Sequence, residues 1–255
     1  MSTGKEKDFV KPEIIRMGVL GLAVDDNKKL LWACANINSE GKRYSAIFKF
    51  DLYSGKLLNS FNNKDTIAAT YNDLTIDKSG DVYFTNTNGN QVYRINATND
   101  SMYVFYCSNQ IEYPNGITIS PDNNYLYIAS QTRGIRILDI ENKKIINSNN
   151  TSINSMGIDG LKYYKNSLIG IQNGLGGNNS ININRYYLSK DNKGIIGVKT
   201  IDKNNSNFDI PTTCAISNGK LFCIANSQLG NLNHENYSVR NPKFLKDIII
   251  ISYKL

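Results

Sequence analysis

The sequence is poor in histidine and in long apolar runs, and both shortages exclude classes of protein. His234 is the only histidine among the 255 residues. Histidine ligation of a metal or a Ser-His-Asp triad is therefore implausible, since His234 lies in no nucleophile motif. No apolar run approaches the roughly 20 residues of a membrane-spanning helix, so we expect no membrane partner. The amino terminus lacks the apolar stretch of a secretory signal. Two localisations remain open, a cytoplasmic chain and an exported chain whose signal belongs to a missing amino terminus.

Blocks of like charge and cysteine motifs are missing as well. Lys and Arg number 29 against 22 Asp and Glu, a net charge of +7 that is spread singly along the chain, so we expect no nucleic-acid partner. The four cysteines show no metal-binding spacing. Cys214 and Cys223 would face each other if Asn218 and Gly219 formed a two-residue turn, as a disulfide or as two packed thiols.

What the sequence does contain is a repeated strand pattern. Alternating apolar residues, a tight polar turn and a more apolar second strand recur five times, each followed by further strand-like segments. The first apolar positions of the five units are Leu22, Leu74, Ile117, Leu161 and Ala215. Four strands per unit at this period predict an all-β protein, a β-propeller of four-stranded antiparallel blades.

The pattern assigns the whole chain, residues 1–255, to one propeller domain with approximate units at 13–63, 64–110, 111–152, 153–205 and 206–255. The last unit ends after its third strand, so residues 5–10 are predicted to supply an outer strand. Two arrangements remain open. One is a closed five-bladed ring joined by its termini, and the other is a six-bladed ring that lacks most of its first blade.

Polar residues precede the inner strands of successive blades, where a propeller brings them together around its channel. The positions two before the first apolar residue include Asn72, Asn115, Asp159 and Thr213. Amide and carboxylate oxygens suit calcium or another hard divalent cation. Turn preference alone also places Asn and Asp before strands, but three matching positions in adjacent blades favour a site. Asn173 and Asn226 end equivalent second strands and could reach the same pocket.

These residues lie in motifs that resemble the senescence-marker-protein, gluconolactonase and regucalcin-like propellers. The motifs are Asn72-Asp-Leu-Thr, Pro114-Asn-Gly-Ile-Thr-Ile-Ser-Pro-Asp122 and Gly157-Ile-Asp-Gly-Leu161. The resemblance implies a six-bladed propeller with one calcium, or another divalent cation, in its channel. It also implies that Asn72, Asn115 and Asp159 are three of four metal ligands. The fourth, a glutamate from the first blade, has no counterpart here.

The resemblance further implies a calcium-dependent hydrolase that acts on a small-molecule lactone or similar ester. The cation would polarise the carbonyl oxygen, and Asp159 would be the catalytic residue. Asp159 could orient or deprotonate the attacking water, or attack directly as a nucleophile. The alternative function is a non-catalytic propeller that binds a protein or carbohydrate through its loop face.

Overall fold

Five antiparallel sheets follow one another along the chain in the computed structural model, which describes residues 8–11, 14, 17–39, 42–62, 69–147, 152–174, 181–233 and 238–255. The first blade contains β1 Gly18–Asp25, β2 Leu30–Ser39, β3 Lys42–Asp51 and β4 Leu57–Asn62. The second contains β5 Tyr71–Ile76, β6 Val82–Asn86, β7 Gln91–Ile95 and β8 Met102–Cys107. The third contains β9 Pro114–Ile119, β10 Tyr125–Ser130, β11 Gly134–Asp139 and β12 Lys144–Ile145. The fourth contains β13 Ile158–Tyr163, β14 Ser167–Asn173, β15 Ile181–Leu188 and β16 Ile195–Lys203. The fifth contains β17 Cys214–Ser217, β18 Lys220–Ile224 and β19 Ile250–Lys254.

Each sheet is a meander in which consecutive strands pair. The first strand of each blade is the inner one, and contacts run from β1 to β5, from β5 to β9, from β9 to β13 and from β13 to β17. The predicted all-β propeller is therefore confirmed with five blades, whereas the six-bladed pattern is not.

The core lies between blades rather than within one sheet. Leu74 of β5 packs with Trp32 and Ile47 of the first blade, and Leu161 of β13 packs with Tyr127 and Ile137 of the third. Burying these large side chains stabilises the contact of neighbouring sheets, at about 1.5–3 kcal/mol for each fully buried aliphatic or Phe side chain. The side chain at the first apolar position of an inner strand thus packs against the preceding blade.

The closing strand predicted at residues 5–10 is not found in the described part of that segment. Residues 5–7 lie outside the described residues, and Asp8, Phe9 and Val10 form no strand. Phe9 instead lies edge-on against Phe50 of the first blade, with ring centroids 6.4 Å apart, and remains 39% exposed. The sheet of the fifth blade consists of three strands among the described residues.

The β17–β18 turn has the predicted form. Asn218 and Gly219 both have positive φ, 49° and 71°, as the common two-residue hairpin turn requires. Ser217 therefore pairs with Lys220, and Cys214 pairs with Cys223.

Helical structure in the described part is limited to three short 3₁₀ turns, Asn109–Ile111, Leu229–Asn231 and Pro242–Phe244. None of the helices there has the length and apolar character needed to cross a membrane.

Candidate functional site

The predicted site residues lie in β-bulges at the start of their inner strands. Pairing of β5 with β6 skips from Tyr71 to Leu74, and pairing of β13 with β14 skips from Ile158 to Leu161. In the third blade the skip lies between Pro114 and Ile117. A bulge leaves residues out of the ladder and re-aims their side chains. Asn72, Asn115 and Asp159 each fall inside such an interruption.

Two of the predicted ligands lie near each other. The Asp159 carboxylate accepts a hydrogen bond from Nδ2 of Asn173, which ends the second strand of its own blade, at 2.9 Å. The side chain of Asn115 in the neighbouring blade lies near enough to lower the pKa of the same carboxyl. Asp159 itself is half-buried. One amide of the same blade therefore holds this carboxylate, and an amide of the adjacent blade lies near it.

Asn72 is connected to this cluster through a threonine. Its Nδ2 donates to Oγ1 of Thr87 at 3.1 Å, and Oγ1 of Thr87 donates to the carbonyl oxygen of Pro114 at 2.8 Å. Because Nδ2 is used in this contact, Oδ1 is the atom of the Asn72 amide suited to a cation. Thr85 donates similarly to the carbonyl oxygen of Asn115 at 2.7 Å, so two threonines of β6 and its following turn fix the loop that carries Asn115.

Burial dominates the electrostatics of Asp159. It raises the pKa of this carboxyl to about 6, since a charge is poorly solvated there. Hydrogen bonds from Asn115 and Asn173 oppose the rise, and the negative charge of Asp73 adds to it. A carboxylate in this environment is favoured by any positive charge that comes next to it.

Asp73 and Lys162 form a charged pair in the same channel that the sequence analysis did not single out. Lys162 Nζ lies 3.1 Å from Oδ2 of Asp73, across 89 residues of chain, and the Asp73 side chain is 6% exposed. Asp73 also accepts from the backbone N–H groups of Leu74 and Ile117, at 2.9 and 3.3 Å. One signal was available, because Asp73 stands where three other blades have Gly21, Gly116 and Gly160.

The structure shifts the fifth blade by one residue relative to the positions that the sequence pattern predicts. A Cβ built on Gly21, Gly116 or Gly160 would meet the carbonyl oxygen of Asn72, Asp159 or Thr212 of the next inner strand, at 2.4, 2.4 and 2.8 Å respectively. Thr212 is thus the counterpart of Asn72 and Asp159, and Thr213 follows it. The buried Cys214, not the exposed Ala215, takes the first apolar position.

Asn226 has a structural contact away from this cluster. Its Nδ2 donates to the carbonyl oxygen of Asp247 at 2.9 Å, and its Oδ1 accepts from the backbone N–H of Ile249 at 2.6 Å. Both amide atoms therefore bind the backbone that leads into β19. Of the two asparagines predicted for the pocket, Asn173 contacts Asp159 and Asn226 fastens the last strand.

The donor chemistry of the cluster suits a hard cation. Within the described residues no group of three or more His, Cys, Asp and Glu side chains is placed to hold a metal, so the candidate ligands are one carboxylate and amide oxygens. Oxygen donors fit calcium or magnesium and do not fit softer metals. Asn72, Asn115 and Asp159 are the residues that would hold such an ion.

The fold and the cluster together define a β-propeller with an oxygen-lined channel mouth. A family model described as SMP-30/Gluconolactonase/LRE-like region matches residues 2–162, and the chain belongs to this family. The search of curated proteins gives no match.

Solved structures share the propeller fold at low sequence identity. A virginiamycin B lyase from Staphylococcus aureus is 17% identical, with a TM-score of 0.59 over 94% of this chain and 70% of that one. A gluconolactonase from Xanthomonas campestris is 12% identical, with a TM-score of 0.53 over 82% of this chain and 83% of that one. A nidogen/laminin complex is 16% identical, with a TM-score of 0.59 over 81% and 72%. These similarities show the fold alone.

Proposed function

We propose that the chain is a hydrolase of a lactone or similar ester, dependent on a divalent cation bound by Asn72, Asn115 and Asp159. The observation that carries this proposal is the Asp159 carboxylate on an inner strand, which Nδ2 of Asn173 holds by a hydrogen bond of 2.9 Å, with the Asn115 side chain of the adjacent blade near it. Membership of the gluconolactonase-containing family supports the substrate class. Calcium is the cation we favour, because all the proposed side-chain ligands are oxygens.

A cation bound at this site would supply Lewis-acid polarisation of the substrate carbonyl oxygen. The protein's own part falls to Asp159, which orients the attacking water and takes its proton. Asn173 holds this carboxylate in one orientation through its amide N–H group. Direct attack by Asp159 on the carbonyl carbon is the alternative route within the same proposal.

The proposed ligand set contains a single carboxylate, and this bears on affinity. Calcium sites bind more tightly as the number of charged ligands rises. We therefore expect weak binding, with a dissociation constant of roughly 10⁻⁴ M or higher. The titration must accordingly extend into the millimolar range of calcium.

The test combines calcium titration by calorimetry with hydrolysis of glucono-δ-lactone followed by acid release at constant pH. Asp159→Asn is expected to abolish both calcium binding and turnover, and Asn115→Ala to weaken both at least tenfold. Asp191→Asn is the matched control, because Asp191 is an exposed carboxylate in the β15–β16 turn, and it should leave both unchanged.

Three results would contradict the proposal. Full lactone hydrolysis after chelation of divalent cations would remove the metal role. Calcium binding that survives Asp159→Asn would place the ion elsewhere. If Asn115→Ala kept both full lactone hydrolysis and full calcium binding, Asn115 would be excluded as a ligand.

A further inference from the structure

Cys214 and Cys223 form a facing pair of thiols in the fifth blade. They are register partners in the β17–β18 hairpin, and both are free and buried, with 6% and 1% of their surface exposed. The backbone N–H of Ile224 donates to the carbonyl oxygen of Thr213 at 3.3 Å, so the adjacent residue pair is hydrogen-bonded. Alternation along an antiparallel ladder then makes Cys214 and Cys223 a non-hydrogen-bonded pair.

Such a pair satisfies the distance condition for a disulfide. Directly opposed residues at non-hydrogen-bonded positions have Cα atoms about 4.5 Å apart, and disulfides span Cα separations of roughly 4.4–6.8 Å. The other two cysteines have no such partner, because Cys34 pairs with Gly21 and Ile47 and Cys107 pairs with Gln91. The chain therefore offers one disulfide position and two internal controls.

We propose that Cys214 and Cys223 are an oxidisable pair that a small peroxide converts to a cross-strand disulfide in the folded chain. One of the two sulfurs attacks one oxygen of hydrogen peroxide and becomes a sulfenic acid as the O–O bond breaks and water leaves. The other sulfur then attacks that sulfenic sulfur, forming the S–S bond and releasing a second water. Two thiols and one peroxide thus give one disulfide and two waters.

The surroundings of the pair affect the rate and the consequence of this reaction. Burial raises the pKa of Cys214 to about 12 and that of Cys223 to about 11, so thiolate is scarce and closure is slow. Lys162 opposes the rise at Cys214, whereas Asp73, Cys223 and Asp159 add to it. The bond would brace β17 two residues from Thr212, whose carbonyl oxygen accepts from the backbone N–H of Gly160, the neighbour of Asp159.

The experiment treats the folded wild-type chain with a small excess of hydrogen peroxide at mildly alkaline pH. Free thiols are then counted after unfolding, and disulfides are mapped by mass spectrometry of non-reduced peptides. We expect a single linked peptide pair containing Cys214 and Cys223, and a thiol count that falls from three to one in Cys107→Ser, which lacks the exposed thiol. The same peptides should lose two hydrogen atoms and regain them on reduction. A chain oxidised in urea is the comparison, where several pairings are expected.

Variants separate this pair from the other thiols. Cys107→Ser removes the exposed thiol and should leave formation of the disulfide unchanged, whereas Cys223→Ser should abolish it. The wild-type peptide map gives the answer even where Cys223→Ser folds poorly. The proposal would be overturned if the Cys214 and Cys223 thiols both stayed free after prolonged oxidation, or if only the Cys107 thiol were lost. Native-state pairing of Cys214 with Cys34 or Cys107 would overturn it equally.

Discussion

Two carboxylates share the channel, and their neighbours differ in charge. Asp73 is matched by the ammonium group of Lys162 and by two backbone N–H groups. Asp159 has hydrogen bonds from neutral amides, which orient it without cancelling its charge. A cation that enters the channel is therefore drawn to Asp159 rather than to Asp73, and this is the electrostatic basis for the proposed metal position.

At the scale of this single residue, Asp159→Asn should stabilise the fold in the absence of divalent cations. The pKa of Asp159 rises from 3.8 to about 6 on folding, so the folded state holds the proton more tightly than the unfolded state. That contribution is fully present below pH 3.8 and is lost as pH rises through about 6. The variant should exceed wild type at pH 7 by at most about 3 kcal/mol, measured by urea denaturation from pH 4 to 7.5.

Asp139→Asn provides the control with the opposite sign. The backbone N–H of Asn142 donates to Asp139 at 2.9 Å and lowers the pKa of that carboxyl. Its ionised form therefore adds stability above the ordinary pKa, and the variant should lose stability at pH 7. A difference between wild type and Asp159→Asn that stays constant from pH 4 to 7 would contradict the assigned environment of Asp159.

The pair of Asp73 and Lys162 should show strong coupling. Lys162→Met would leave the enclosed carboxylate without its cation, and such losses cost roughly 3–5 kcal/mol when the pair is buried. Asp73→Asn should be destabilising for the reciprocal reason. The double variant should lose several kcal/mol less than the sum of the two single variants, as measured by the free energy of unfolding in urea.

A surface pair supplies the comparison for this cycle. Arg133 and Glu112 lie 3.5 Å apart, with side chains 49% and 33% exposed. Arg133→Gln should therefore cost less than about 1 kcal/mol. Equal costs for Lys162→Met and Arg133→Gln would mean that water reaches the channel pair freely, and the enclosed position of Asp73 would then be wrong.

At the scale of the inner strand, glycine sets the distance between neighbouring blades. A Cβ on Gly116 would lie 2.4 Å from the carbonyl oxygen of Asp159 and 2.6 Å from the backbone nitrogen of Leu161. Gly116→Ala must therefore push β9 away from β13. We expect a loss of about 1–3 kcal/mol or more, and at least a tenfold drop in lactone hydrolysis, because Asn115 moves away from Asp159.

Gly197→Ala is the matched glycine substitution. Gly197 lies in the outer strand β16, and the nearest atom to a built Cβ is a ring carbon of Tyr187 at 3.8 Å, an ordinary contact. Its stability and activity should remain within about 0.5 kcal/mol and twofold of wild type. Similar effects of the two substitutions, measured by thermal denaturation and by initial rate, would show that the inter-blade approach at Gly116 is not limiting.

Sequence reasoning found the elements whose signals are local. Alternating apolar residues and tight turns predicted all five inner hairpins, whereas the metal site inferred from the repetition of Asn or Asp before the strand stays a prediction. The prediction for the fifth blade is one residue late, because the sequence pattern places the first apolar position at Ala215, whereas Cys214 is the residue that packs. The pairing of Asp73 with Lys162 joins blades two apart, and no local pattern reports such a contact.

At the scale of the whole molecule, the first blade differs from the others in what covers it. Leu74, Ile117 and Leu161 pack on the preceding blade and are 1%, 0% and 0% exposed. Leu22 holds the same position in β1, yet it is 54% exposed, and Val24 beside it is 48% exposed. At the other end of the chain, Ile250 of β19 is 61% exposed. Among the described residues, the contacts between blades therefore leave Leu22 and Val24 of β1 about half exposed.

This difference predicts unequal costs for the same substitution. Leu74→Ala and Leu161→Ala create cavities between blades and should each cost about 2–5 kcal/mol. Leu22→Ala removes a side chain that is already half in water, so its cost should stay below about 1 kcal/mol. Urea denaturation of the three variants, at two protein concentrations tenfold apart, measures both the loss of unfolding free energy and any contribution from association.

A loss of unfolding free energy for Leu22→Ala that matches Leu74→Ala at both concentrations would mean that β1 is covered within a single chain in solution. A matching cost only at the higher concentration would instead indicate that a second copy covers it.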